Sequence, residues 1–243
     1  MPPKIAIFCA IEEEIRPLVK PWERRALKVG ARSLPSFQGP GCLAVCVGMG
    51  AEAGRCAAEA ALQEWRPELM VSAGFAGALT EDLRVGDLIR PAAVVDGASG
   101  RRFEIPGGKG TLVSSAQVAG PQQKRDLAAR FGAQAVDMES AAVAQVAAAH
   151  AVRFMAVKAI SDELDFPLPD FSLFADCAGQ LHRGRVAAFA LLRPWLWPRM
   201  ARLSANCRIA AQELCRALEH LIFQPEEHGP SLAPDRVAQP GSH

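Results

Sequence analysis

The sequence predicts an α/β fold, and three stretches carry that prediction. Each is an apolar strand that ends in small or acidic residues and passes into a helix. They are 4–10 (KIAIFCA) before Glu12-Glu13-Glu14, 42–47 before Gly48-Met49-Gly50, and 135–136 before Asp137-Met138-Glu139 and a helix over 140–150. Strands that alternate with helices through small-residue turns build such sheets. The third stretch continues into a second apolar strand, 152–160, closed by Ser161-Asp162. In an open α/β sheet, ligands bind outside the carboxyl ends of the strands, so Glu139 and Asp162 are expected at one edge.

Taken in order, 4–10 is a buried first strand and 12–19 begins a helix that breaks at Pro21. Acidic residues suit the first turn of a helix, and a solvated first turn accounts for Glu12 and Glu13. Residues 26–47 read as a hairpin, with a polar turn over 35–41 leading into the strand 42–47. The glycines at 48, 50 and 54 miss the GxGxxG spacing, so the turn is a weak dinucleotide signal. It implies instead that backbone comes close to something small. A helix over 55–65 follows, with its apolar positions on one face.

Residues 68–72 start a third strand, and 74–79 (GFAGAL) read as a second small-residue turn at its end. A turn at 85–89 leads into a strand over 87–95. The polar loop 97–110, with Arg101, Arg102 and Lys109, is expected to be mobile. Residues 112–115 form a strand end, and 122–131 an amphipathic helix.

Composition limits the function. Half of the 243 residues are apolar, enough for one large domain or two small ones with a substantial core. With 27 basic and 26 acidic residues, no global field draws nucleic acid or anionic lipid. The acidic N-terminal stretch is unlike a secretory signal, and no uncharged run approaches the ~18 apolar residues of a membrane span. The expected location is the cytoplasm. Seven cysteines stand among apolar neighbours with no CxxC pair. Cys42 and Cys46 share a strand face roughly 13 Å apart, too far for one metal or one disulfide. Reduced core thiols are expected, with no metal and no cofactor.

In the last third, Met200, Leu203, Cys207, Ala210, Leu214, Leu218 and Leu221 form a helical stripe. That stripe suits packing on the sheet or on a second subunit. Trp195 and Trp197, flanked by Arg193 and Arg199, suit a membrane interface as well as a core. Residues 1–223 are expected to form the domain, with 182–223 as its C-terminal helical segment. The Pro-, Gly- and Ser-rich 224–243 is expected to be a disordered tail.

The motifs IAIFCAIEEE, VGMGAEAGRCAAEAAL, PELMVSAGFAGALTEDLRVGDLI and AVDMESAAVAQVAAAHAVRFMAVKAISDELD, ordered along 4–165, together resemble the nucleoside phosphorylase superfamily. Within it they are most similar to the branch that cleaves methylthioadenosine and S-adenosylhomocysteine. The resemblance implies a single-domain α/β/α sandwich on a central mixed sheet, acting as a homo-oligomer, most simply a dimer.

Residue by residue, the resemblance implies that Glu139 grips the ribose 2′- and 3′-hydroxyls, for which a carboxylate has two acceptor oxygens. It implies that Asp162 protonates or hydrogen-bonds purine N7, and that burial raises its pKa enough to hold a proton. Glu14 corresponds to the carboxylate that activates the attacking water. Met138 would pack on the sugar, Ser161 would support the loop holding Asp162, and Val118 and Ala119 would line the purine. In isolation, Asp162 could be a cap, Glu139 a first-turn acid and Met138 core.

The departures bear on the nucleophile. Phosphorylases of the superfamily bind phosphate with an arginine in the first loop and an arginine and serine near the second glycine-rich turn. Here the first loop offers Glu14 and the turn reads Gly74-Phe75-Ala76-Gly77, with Phe75 in place of a hydroxyl. A carboxylate repels phosphate, so water is favoured. Lys158 stands where arginine is common, and suits either an anion contact or an ion pair. The short loop before Thr111 would leave the 5′ end of the substrate open. With the C-terminal LSANCR segment and the Trp pair, the chain resembles the bacterial hopanoid-associated phosphorylase subgroup, which implies adenosylhopane as substrate and a peripheral contact with the inner membrane surface.

Overall fold

The computed structural model describes residues 4–167, 193 and 196–223, which form an 11-stranded mixed sheet with helices on both faces. The strand β1 (Ile5–Cys9) is buried along its whole length, and alternate side chains feed two cores. Ile5, Ile7 and Cys9 pack on one face, and Ala6 and Phe8 on the other. Because a strand turns successive residues to opposite faces, a continuous apolar run fits a sheet covered on both sides.

On the first face lie α1 (Glu12–Val19) and the C-terminal helix α5 (Trp197–Phe223). Ala210, Leu214, Leu218 and Leu221 of α5 pack there with Ile15 and Leu18 of α1, so the predicted stripe faces the sheet. On the second face, α2 (Ala51–Glu64) and α4 (Ser140–Ala149) pack through Ala57, Ala58, Ala61, Val143 and Ala147. Small side chains let these two helices lie close together and close to the strands.

The strands β2 (Glu23–Val29), β3 (Arg32–Gly39) and β4 (Cys42–Cys46) form an antiparallel meander that ends against β1. The expected hairpin with one turn over 35–41 is therefore corrected. One reversal falls at Gly41, within the expected turn but confined to its end, and a second, not expected, at Gly30, both with left-handed φ. The charged, exposed edge strand β2 hid the reversal at Gly30, because it carries little of the alternation that marks a half-buried strand.

A second correction concerns β5 (Leu69–Ala78), which runs straight through the glycines expected to turn. Its first half pairs in parallel with β1, Ile5 to Phe8 lying opposite Leu69 to Ser72. Its last two residues pair on that same edge with β10 (Ala135–Asp137), which is antiparallel to it. The strand β11 (Arg153–Asp162) follows β5 in parallel along the other edge. The strands β1 and β10 thus point at each other across a gap beside residues 73–76 of β5.

The predicted strand 87–95 is two strands, β6 (Leu88–Ile89) on β11 and β7 (Ala93–Asp96) on β9 (Thr111–Ser114). Pro91 separates them, as a residue with no N–H to give a ladder must. The loop expected to be mobile contains β8 (Arg102–Glu104), paired with β7. The helix α3 (Pro121–Phe131) starts on its proline and stops at Gly132 in the left-handed region.

Six cysteines are free thiols among the described residues. One contact was invisible to single-strand spacing: Cys9 and Cys46 are register partners on β1 and β4, with sulfurs 3.8 Å apart. Cys177, Trp195 and the expected tail 224–243 lie outside the described residues. No helix among the described residues is long and apolar enough to cross a membrane.

Candidate functional site

The gap between β1 and β10 gathers carboxylates. Glu14 sits in the first turn of α1, and its backbone lies just past the end of β1. One carboxylate oxygen accepts from the Phe75 amide at 2.9 Å, the other from the amides of Ala10 at 2.7 Å and Ile11 at 3.2 Å. These bonds hold Glu14 over β5. Gly74 makes room for it: at φ +141°, an added Cβ would lie 2.9 Å from a Glu14 oxygen. This explains the small residues of β5. They leave space for a carboxylate, and do not turn the chain.

From the opposing strand come Asp137 and Glu139, on either side of half-buried Met138. Glu139 precedes α4 and accepts from the Gly50 amide at 2.8 Å, so the turn 48–50 presents its backbone to a side chain of the site. Close approach was expected there, and an acid occupies it. Asp137 accepts from Ser114 Oγ at 2.6 Å and Ser140 Oγ at 2.5 Å, and Ser140 Oγ reaches Ser72 Oγ at 2.8 Å.

Lys158 settles between these groups. Its ammonium is buried and lies 2.9 Å from Asp137, so of its two expected roles the structure places it as an ion-pair partner. Burial pulls its pKa down, but Asp137, Glu139 and Glu14 outweigh burial and the net direction is up. Three carboxylates share this one cation, which leaves two negative charges in excess when all are ionised. Burial sets the direction for the acids. Burial raises Glu14, against the opposing pull of the Phe75 amide and Lys158. Burial, then the charge of Asp137, push Glu139 up to about 7.

Asp162 stands on the other edge of β5, opposite Gly77. It is buried, as expected. One oxygen accepts from Ser161 Oγ at 2.7 Å and the other from Lys124 Nζ. A buried ammonium therefore stands directly against this carboxyl. Among the described residues, Lys124 is the one buried side chain of α3. Its only sequence signal is its place in PQQKRD, which looks like a polar face. Gly77 admits the pair: a Cβ there would lie 2.9 Å from Asp162 Oδ2 and 3.0 Å from Lys124 Cε.

The remaining predicted residues fall around these two stations. Ser161 is buried, and its hydroxyl lies 3.5 Å from the Ala76 carbonyl. Phe75 is partly buried against the α1 and α5 core, while Ala76 is buried on the opposite face of β5. Val118 is half-buried and Ala119 buried, between β9 and α3. On α5, Cys207 feels the charges of both Glu14 and Asp162, and burial chiefly pushes its thiol up to about 12. That helix therefore passes beside both acids. Trp197, at its start, is 52% exposed.

The chain belongs to the phosphorylase superfamily, whose family model matches residues 4–113 and 101–193. Solved structures with this fold include the futalosine hydrolase of Helicobacter pylori strain 26695. It is 18% identical, with a TM-score of 0.69 over 91% of this chain and 98% of that one. They also include a 5′-methylthioadenosine/S-adenosylhomocysteine nucleosidase from Colwellia psychrerythraea 34H in complex with adenine. That protein is 17% identical, with a TM-score of 0.69 over 92% of this chain and 96% of its own. The corresponding nucleosidase from Neisseria meningitidis, in complex with methylthio-immucillin-A, is 18% identical, with a TM-score of 0.67 over 90% and 97%. No curated protein matches the chain.

Proposed function

We propose that this protein cleaves the N-glycosidic bond of a 5′-substituted adenosine and releases adenine, with water as the nucleophile. The observation that carries the reading is the pair of stations on β5. A cluster with surplus negative charge stands on one edge and Asp162 on the other. Glycosidic cleavage leaves positive charge on the sugar and negative charge on the base. Glu139 grips the ribose hydroxyls and its charge stabilises the cationic sugar. Glu14, fixed by three backbone amides, takes a proton from the water that attacks C1′. The C1′–N9 electron pair leaves with the purine as Asp162 gives N7 a proton. Met138 packs on the sugar, Ser161 steadies Asp162, and Val118 and Ala119 line the purine with Phe75, Ala76 and Gly77.

Water is favoured over phosphate because an anion would meet Glu14 and the surplus charge, and Lys158 is already engaged with Asp137. The likeness to nucleosidase structures supports the reaction class. The exposed Trp197 and the resemblance to the hopanoid-associated subgroup support a large apolar 5′ substituent, with adenosylhopane as the preferred substrate. A homodimer with peripheral membrane contact through Trp195 and Trp197 belongs to the same reading.

The test is adenine release from adenosylhopane, methylthioadenosine and S-adenosylhomocysteine, with and without phosphate. Preference for the lipid substrate and turnover unchanged in phosphate-free buffer are expected. Preference for the small thioethers would make the protein an ordinary nucleosidase, and adenine binding without cleavage would make it a binding module. Asp162→Asn is expected to lower adenine release ~10²–10⁴-fold, and full activity would overturn the role of Asp162.

A further inference from the structure

We infer that Lys124 is a positioning residue for departure of the purine, acting through Asp162; this rests on the nucleosidase reading. Three observations carry it. Lys124 is fully buried on a helix whose other ten residues are not, among the described residues. A long cationic side chain is rarely held so deep without a partner. Its ammonium meets Asp162 Oδ2, the Glu163 carbonyl at 2.7 Å and the Asp162 carbonyl at 3.5 Å. With its donors directed at those three oxygens, it does not itself reach the base. Finally, the Gly77 position is kept clear for the contact, since a methyl group there would press on both partners.

The arrangement does two things. It fixes the carboxyl by one oxygen and the following backbone by its carbonyls, while Ser161 holds the other oxygen. It also places a cation where negative charge appears during the reaction. As the C1′–N9 bond breaks, its electron pair goes to the purine and the Asp162 proton goes to N7. The carboxylate left behind is already paired with the Lys124 ammonium. The proton lost by the attacking water passes to Glu14, so the sum is nucleoside plus water to sugar plus adenine. Stabilising charge only as it develops raises kcat without tightening substrate binding.

The experiment uses the full chain and two ribosides, an adenosine substrate and a 4-nitrophenyl riboside whose leaving group departs without a proton. Lys124→Met is expected to lower kcat for adenine release ~10–100-fold with KM within about threefold, the loss on the nitrophenyl riboside being at least about tenfold smaller. Lys124→Arg, which keeps the charge, is expected to recover part of the loss. In an Asp162→Asn background, Lys124→Met should cause little further loss, because the two act as a unit. The double variant also removes both charges together, so it tests the idea even if Lys124→Met alone folds poorly. Equal losses on both ribosides, or losses that multiply in the double variant, would overturn the positioning role. A wild-type chain that cuts neither riboside would instead overturn the nucleosidase reading, and Lys124 with it.

Discussion

The two edges of β5 each hold a buried lysine against a buried aspartate, but their charge balance differs. On the β11 edge, Lys124 faces Asp162 in a one-to-one pair. On the β1 and β10 edge, Lys158 pairs with Asp137 and also feels Glu139 and Glu14. The first station sets one cation against one carboxyl and is neutral only when that carboxyl is ionised. The second keeps negative charge in reserve, which a cationic sugar would use. Buried ion pairs seldom add net stability over apolar packing, because desolvation opposes the Coulomb gain. Two of them beside one strand point to work other than holding the fold together.

The comparison can be broken most directly by removing the shared cation. Lys158→Met leaves three buried carboxylates without it, and the expected loss of unfolding free energy is ~3–5 kcal/mol, read by urea denaturation. A loss below about 1 kcal/mol would mean that Lys158 does not carry the cluster. A smaller effect follows from filling the gap. Gly74→Ala puts a Cβ against Glu14 at a φ that alanine resists, with an expected cost of about 1–3 kcal/mol and a matching fall in adenine release. Unchanged stability would show that Glu14 has another place to go.

The smallest effect is in pH. Glu139 is raised from 4.5 to about 7, so the folded state binds its proton more tightly than the unfolded state does. Its contribution to stability is fully present below pH 4.5 and is lost as pH rises through about 7. Glu139→Gln is expected to flatten that part of the stability profile. In the native protein, KM for the nucleoside should fall as pH rises through about 7, since only the ionised carboxylate accepts from both hydroxyls. A KM independent of pH across that window would remove Glu139 from the sugar.

Much of this was legible in the sequence, and for physical reasons. The apolar run of β1, and that of β11 interrupted only by Lys158 before its polar end, read as buried strands, and polar residues at the ends of such strands stand out. The α5 stripe showed its period because a 27-residue helix repeats it many times. What escaped depended on distant partners. Small residues at 74–78 signal a turn by local propensity, yet here they clear space for two carboxylates from elsewhere in the chain. Lys124 looked like one more polar residue near a helix start, and only the tertiary fold takes it inward to Asp162. Asp137 read as part of the lead into Glu139, because one serine that binds it, Ser114, comes from β9, 23 residues back, and the other, Ser140, opens the next helix.

The straight course of β5 has one further consequence. Glu14 is tied to the amide of Phe75, and Asp162 stands opposite Gly77, two residues further along the same strand. At ~3.3 Å per residue, the strand sets these stations ~6.6 Å apart along its axis, comparable to the reach from one side of a sugar to the far edge of its base. It serves as a ruler marked on both edges. Lengthening it by a single residue would move one mark by ~3.3 Å and turn it to the opposite face, so the dimension is protected by backbone geometry and not by any one side chain.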